Sequence, residues 1–180
     1  MNVTPTALPD VKLIEPAVFG DDRGFFMESW NARAFAVAGL DATFVQDNHS
    51  RSRRGVLRGL HYQIDHAQGK LVRCVAGEVY DVVVDLRRSS TAFGRALGLV
   101  LSAENRRMLW VPPGFAHGFL VVSEFADFLY KTTDYWYPEH ERSLLWNDSA
   151  LAVDWPLSDA PILTKKDAAG APLAATDVYP

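Results

Sequence analysis

The sequence predicts an all-β fold, either a sandwich or a small barrel. Two observations carry that expectation. Short apolar runs recur at regular spacing along most of the 180 residues, each closed by turn residues. In the segment from Glu78 to Leu86, Tyr80, Val82, Val84 and Leu86 share one face while Asp81 and Asp85 lie on the other. That period of two marks a half-buried strand. Many short strands in succession favour a sandwich or barrel over a parallel sheet with crossover helices.

The elements follow in order. Val11 to Phe19 reads as a strand, closed by Gly20-Asp21-Asp22-Arg23-Gly24, and Gly24 to Trp30 as a second. Asn31 is an N-cap candidate. Ala34, Phe35 and Ala38 recur at helical spacing and Gly39 supplies the stop, so one short helix is expected here. Strands are then expected at Ala42 to Asn48, Gly55 to Gln63, Lys70 to Ala76, Glu78 to Leu86 and Arg95 to Ser102. Arg107 to Val111, Phe115 to Val122 and Phe125 to Tyr135 complete the set. Gly77 suggests a tight hairpin between its two strands. Trp146, Trp155, Pro156 and Pro161 punctuate an irregular C-terminal segment, expected to wrap over the barrel with a short helix.

Composition narrows the function. A chain this long, 48% hydrophobic, can bury one sizeable core, so a single domain over 1–180 is expected. Its net charge of −4 argues against a protein that coats nucleic acid. No apolar stretch approaches the roughly 18 residues of a membrane helix. The N-terminus lacks a basic cluster followed by an apolar run, so no signal peptide is read there. With one cysteine, Cys74, the chain has no internal disulfide, and a cytoplasmic location is expected.

The chemistry concentrates in Arg51-Ser52-Arg53-Arg54-Gly55-Val56-Leu57-Arg58-Gly59-Leu60-His61-Tyr62-Gln63. This stretch is either a solvated strand face or the wall of a ligand site inside a barrel. Strict alternation puts Arg58 and His61 on opposite faces. If both serve one site, Gly59 must mark a bulge or the barrel mouth. Lys70 follows a hairpin candidate, Asp65 to Gly69, and an adjacent strand would bring its ammonium near His61. His117, between prolines and glycines, has a structural and a functional reading. The His-x-His pair and the H-E-x-x-H motif are both absent, which disfavours a metal. Cys74 sits in an apolar run and reads as a core thiol. No Gly-x-Ser-x-Gly elbow, phosphate loop or dinucleotide fingerprint occurs. Acid–base chemistry remains, with His61 as base candidate. Tyr130 is either the opposing acid or an ordinary strand aromatic.

Several ordered motifs then resemble those of the dTDP-4-dehydrorhamnose 3,5-epimerase family, over nearly the whole chain. They are Asp22-Arg23-Gly24-Phe25-Phe26-x-Glu28, Gln46-Asp47-Asn48, Gly55 to Gln63, and Gln68-Gly69-Lys70-Leu71-Val72. Pro113 to Phe119, Tyr130-Lys131-Thr132-Thr133, Trp146-Asn147-Asp148 and Leu163 to Asp167 follow. The resemblance implies a cupin-type jelly-roll β-barrel with one or two short peripheral helices. It implies a homodimer with neither metal nor organic cofactor. The implied reaction is epimerisation of a dTDP-4-keto-6-deoxy sugar at C3 and C5, towards dTDP-L-rhamnose.

The resemblance also implies residue roles. His61 aligns with the family's base, Asp167 with its carboxylate partner and Tyr130 with the acid on the other sugar face. Lys70 and Arg58 align with contacts to the sugar and its keto oxygen. Arg23, Phe26, Glu28, Gln46, Asn48, His117, Glu141 and Lys166 occupy further substrate-contact positions. Trp136 falls where an aromatic can stack on thymine. The Arg23 to Glu28 segment can serve the partner's site. Thr164 stands where the family commonly has serine. Three alternatives stand beside this reading: a mono-epimerase of a related sugar, a non-catalytic sugar-nucleotide binder, and a metal-dependent cupin oxygenase.

Overall fold

The computed structural model describes residues 1–180. Two antiparallel sheets face each other. One has six strands, in the spatial order β1 (Asn2–Pro5), β2 (Lys12–Glu15), β10 (Met108–Val111), β7 (Lys70–Ala76), β12 (Phe125–Thr132) and β5 (Gln46–Arg53). The other has five, β13 (Glu141–Ser143), β6 (Leu57–Gln63), β11 (Phe115–Val121), β8 (Glu78–Asp85) and β9 (Ala96–Ser102). A separate two-stranded hairpin joins β3 (Val18–Asp21) to β4 (Gly24–Met27). From β5 onward the chain changes sheet at every step except β8 to β9. The result is a cupin-type jelly roll with two short helices, α1 (Ala32–Val37) and α2 (Lys165–Ala168). No helix is long and apolar enough to cross a membrane.

That weaving corrects two expected hairpins. The strands flanking Gly77, β7 and β8, belong to different sheets. Gly77 turns a corner at φ 72°, where an added Cβ would lie 1.9 Å from the carbonyl oxygen of Phe125. Strands β6 and β7 are likewise not neighbours, so Lys70 approaches from the sheet opposite His61. A period of two reports which face is buried, not which strand lies alongside.

Other boundaries shift for local reasons. The first expected strand divides at Pro16, which lacks the N–H that a continuous ladder needs. Its halves join the six-stranded sheet and the hairpin. The second strand ends at Met27, before Trp30. β5 runs to Arg53, beyond the expected Asn48, because Phe125 to Thr132 pairs with it residue by residue. The short β1 and β13 lie outside the expected set. Helix α1 matches its expectation: the Asn31 side chain caps it, Oδ1 accepting from the Ala34 N–H at 3.1 Å.

Three apolar layers hold these parts together. Between the sheets lie Val72, Leu109, Phe115, Phe119 and Phe128, among others. Phe35 of α1 packs with Ile14, Leu71 and Met108 on the six-stranded sheet. On the five-stranded sheet, Leu151, Trp155 and Leu163 of the C-terminal segment pack over Leu60, Val82 and Val84. Burial of one such large side chain contributes roughly 1.5–3 kcal/mol. The C-terminal segment therefore does wrap the barrel, and Trp155 Nε1 donates to the Trp146 carbonyl at 2.9 Å. The half-buried reading of β8 is thereby corrected: its Val82 and Val84 face lies under this cover, and Asp81 and Asp85, on the other face with Val79 and Val83, are equally fully buried between the sheets.

Candidate active site

A cavity of about 420 Å³ opens between the sheets. The five-stranded sheet supplies Arg58, His61 and His117, and the six-stranded sheet supplies Gln46, Asn48, Lys70 and Tyr130. Trp136, Glu141 and Lys166 complete the predicted residues in its wall.

Arg58 and His61 share this cavity because β6 carries an extra residue. His117 pairs with His61 and Phe119 with Arg58, so Gly59 and Leu60 together oppose Gly118. This is the bulge that the two side chains required. It also demands glycine. A Cβ on Gly59 would lie 2.7 Å from Gly118 Cα, and one on Gly118 would lie 2.5 Å from the Arg58 carbonyl oxygen.

His61 is oriented from behind. Its Nε2 lies 2.5 Å from Asp167 Oδ1, and Asp167 is only 2% exposed. Thr164 caps α2, accepting the Asp167 N–H, and its hydroxyl donates to Asp167 Oδ2 at 2.7 Å. Burial alone would raise the Asp167 carboxyl. Hydrogen bonds from His61 and Thr164, with the charges of His61 and Lys166, hold it below its ordinary value. An ionised carboxylate accepts the proton on Nε2 and leaves the lone pair of His61 on Nδ1.

His117 has the same kind of partner. Its Nε2 lies 2.9 Å from Oδ2 of Asp81, which is fully buried. Burial pushes the Asp81 carboxyl up, and His117 opposes that shift. Asp81 is a site-shaping residue that sequence reasoning missed. An aspartate inside an otherwise apolar strand was the available signal.

The opposite wall is different in kind. Lys70 is 7% exposed and makes no ion pair. Burial draws its ammonium down to about 8, with Glu141 opposing. Glu141 itself pairs with Lys166 at 2.9 Å. Burial and then Glu141 raise the Tyr130 phenol, while Arg58 opposes them, so Tyr130 keeps its proton at neutral pH. Arg58 Nε donates to Ser52 Oγ at 2.9 Å. Gln46 Nε2 donates to Asn48 Oδ1 at 2.9 Å, and Asn48 Nδ2 has no partner.

Arg23, Phe26 and Glu28 stand apart from this cavity. Arg23 pairs with Asp21 on the β3–β4 hairpin, and Glu28 accepts from Asn31 Nδ2 at 3.0 Å. No three His, Cys, Asp or Glu side chains converge as a metal-holding group. Gln63 and Gln68 also line the cavity. Gln68 does not titrate, so it did not stand out among the charged candidates.

Comparison with known proteins agrees with this geometry. The family model described as dTDP-4-dehydrorhamnose 3,5-epimerase matches residues 5–175. The enzyme of that name from Pseudomonas aeruginosa is 64% identical over 100% of both chains. That from Salmonella typhimurium is 58% identical over 96% of this chain and 95% of its own. Among solved structures, dTDP-6-deoxy-D-glucose-3,5-epimerase from Legionella pneumophila, in complex with dTDP-4-keto-L-rhamnose, superposes with a TM-score of 0.95. It is 52% identical, over 98% of this chain and 94% of its own. The two-sheet cavity, the oriented histidine and full-length similarity converge: this chain is an isomerase belonging to the dTDP-4-dehydrorhamnose 3,5-epimerase family.

Proposed function

We propose that this chain, acting as one domain, epimerises dTDP-4-dehydro-6-deoxy-D-glucose at C3 and C5 without a cofactor. The observation that carries this reading is the division of labour across the cavity. His61, oriented by Asp167, hangs from one sheet, and Tyr130 and Lys70 hang from the other. Inversion needs a base on one face of a carbon and a proton donor on the opposite face. C3 and C5 both flank the C4 ketone, so removing either proton places negative charge on the same oxygen. Lys70 supplies fixed positive charge for that enolate in a water-poor site. His61 takes the proton, and Tyr130 returns one from the far side. Arg58 contacts the sugar beside Lys70, and Lys166 binds the diphosphate. Gln46, Asn48, His117 and Glu141 contact the sugar nucleotide, and the unpartnered Asn48 amide is a donor available to it. Trp136 stacks on thymine. A cytoplasmic setting belongs to the same reading.

Incubation with dTDP-4-keto-6-deoxyglucose in D2O tests the proposal. Deuterium at both C3 and C5 is expected. Label at one carbon would replace it with mono-epimerisation, and no label would leave a binding protein.

The β3–β4 hairpin supports a homodimer. Phe19, Phe25 and Phe26 are 66%, 57% and 67% exposed on it, an unusual concentration of aromatic surface. Arg23, Phe26 and Glu28 miss the cavity of their own chain, so we assign them to the cavity of a second copy. Mixing Arg23→Ala with His61→Ala subunits checks this. A heterodimer would contain one cavity with both residues intact, so activity should rise well above either parent. If Arg23 serves its own cavity, mixing restores nothing.

A further inference from the structure

Residues 134–137 leave β12 and carry Trp136 to the cavity rim, where the residue is 55% exposed. The indole has no aromatic neighbour to fix it; of the adjacent side chains, Tyr137 stacks on His66, centroids 4.2 Å apart. No backbone group of residues 134–136 bonds to another backbone group. Side chains take that place: Thr132 Oγ1 donates to the Asp134 carbonyl at 2.9 Å, Asp134 Oδ1 accepts the Tyr135 N–H at 2.8 Å, and three glutamines supply the rest. Gln63 Nε2 donates to the Tyr135 carbonyl at 3.2 Å and the His66 carbonyl at 2.8 Å, and its Oε1 accepts from the Tyr137 N–H at 2.8 Å. Gln68 Nε2 donates to the Asp134 and Tyr135 carbonyls at 2.9 and 3.0 Å. Gln46 Oε1 accepts from the Trp136 N–H at 3.2 Å.

We propose that Gln63 and Gln68, with Gln46, are positioning residues that hold Trp136 in a preorganised pose as the platform for the nucleotide base. The inference rests on the reading of Trp136 as the thymine stacker. A stacking face must stay uncovered, so the ring's own packing cannot orient it and the backbone must. Gln63 is suited to that task. It is 2% exposed, both of its amide protons and its oxygen are committed, and all three bonds go to main chain. Orientation fixed before binding removes an ordering cost that the ligand would otherwise meet.

The test measures dTDP affinity by calorimetry for Gln63→Met, Gln68→Ala, Trp136→Ala and each glutamine variant combined with Trp136→Ala. Base–aromatic stacking implies about a tenfold loss for Trp136→Ala. Gln63→Met should approach that loss and Gln68→Ala should show part of it, with KM rising more than kcat falls. In the Trp136→Ala background neither glutamine change should weaken binding further, because the platform is already gone. A general loss of structure would instead add to the Trp136 effect. Gln68→Ala keeps the test open if Gln63→Met does not fold. Independent, multiplying losses overturn the inference, as does wild-type affinity in the folded glutamine variants. Wild-type affinity in Trp136→Ala would overturn the stacking reading as well, and so separates the two failures.

Discussion

His61→Ala is expected to stop solvent deuterium from entering both C3 and C5, with loss of turnover of about 10²–10⁴-fold. In the proposed mechanism one imidazole serves both carbons, because both protons are acidified by the same ketone and leave from one face of the sugar. Donation from Nε2 to Asp167 keeps the Nδ1 lone pair available, and alanine removes the imidazole without disturbing the bulge glycines. Tyr130→Phe gives the contrasting signature. The base still removes a proton and can return one to the same face, so exchange persists while inversion falls. NMR of the recovered sugar nucleotide separates these outcomes carbon by carbon. Wild-type exchange in His61→Ala would reassign the base.

Lys70→Met is expected to lower kcat by about 10²–10³-fold, the scale for removing a preorganised donor to a developing oxyanion. It should also raise thermal stability. The fall of the Lys70 ammonium from an ordinary 10.5 to about 8 corresponds to a burial cost of about 3 kcal/mol. That cost is complete below pH 8 and fades as pH rises towards 10.5, because the folded protein sheds the proton first. Activity runs the opposite way. The charged ammonium is the useful form, so kcat/KM of the wild type should decline above pH 8, and Lys70→Met should lack that limb. Calorimetric unfolding and a pH–rate profile check the two halves separately. A variant that is both fully active and no more stable would remove Lys70 from the enolate.

Much of this site was legible because its chemistry sits in titratable side chains on strands with clear patterning. The bulge at Gly59 was readable as a condition: Arg58 and His61 share a wall only if the alternation breaks, and the register with His117 and Phe119 shows where it does. Sheet membership was not readable. Gly77 looks the same in sequence whether it closes a hairpin or turns a corner between layers. The approach of Lys70 from the far sheet therefore emerged only in three dimensions. Asp81 was visible as a polar residue in an apolar strand, but its partner His117 lies 36 residues away in sequence. Gln63 and Gln68 act on main chain alone, and an amide contacting backbone groups leaves no pattern in composition or spacing. Arg23, Phe26 and Glu28 show a further limit: a residue can be assigned a role from its motif while its own chain holds it away from the candidate site.

Placing the proposed base, His61, and the proposed acid, Tyr130, on different sheets has a geometric consequence. No single strand sets the distance between them. The sheet separation does, and packed sheets stand about 10 Å apart. Phe119 of β11 and Phe128 of β12 stack across that gap with centroids 4.2 Å apart, and both line the cavity. The sandwich therefore works as a caliper: its jaws carry the proposed base and acid, and an aromatic spacer sets their opening.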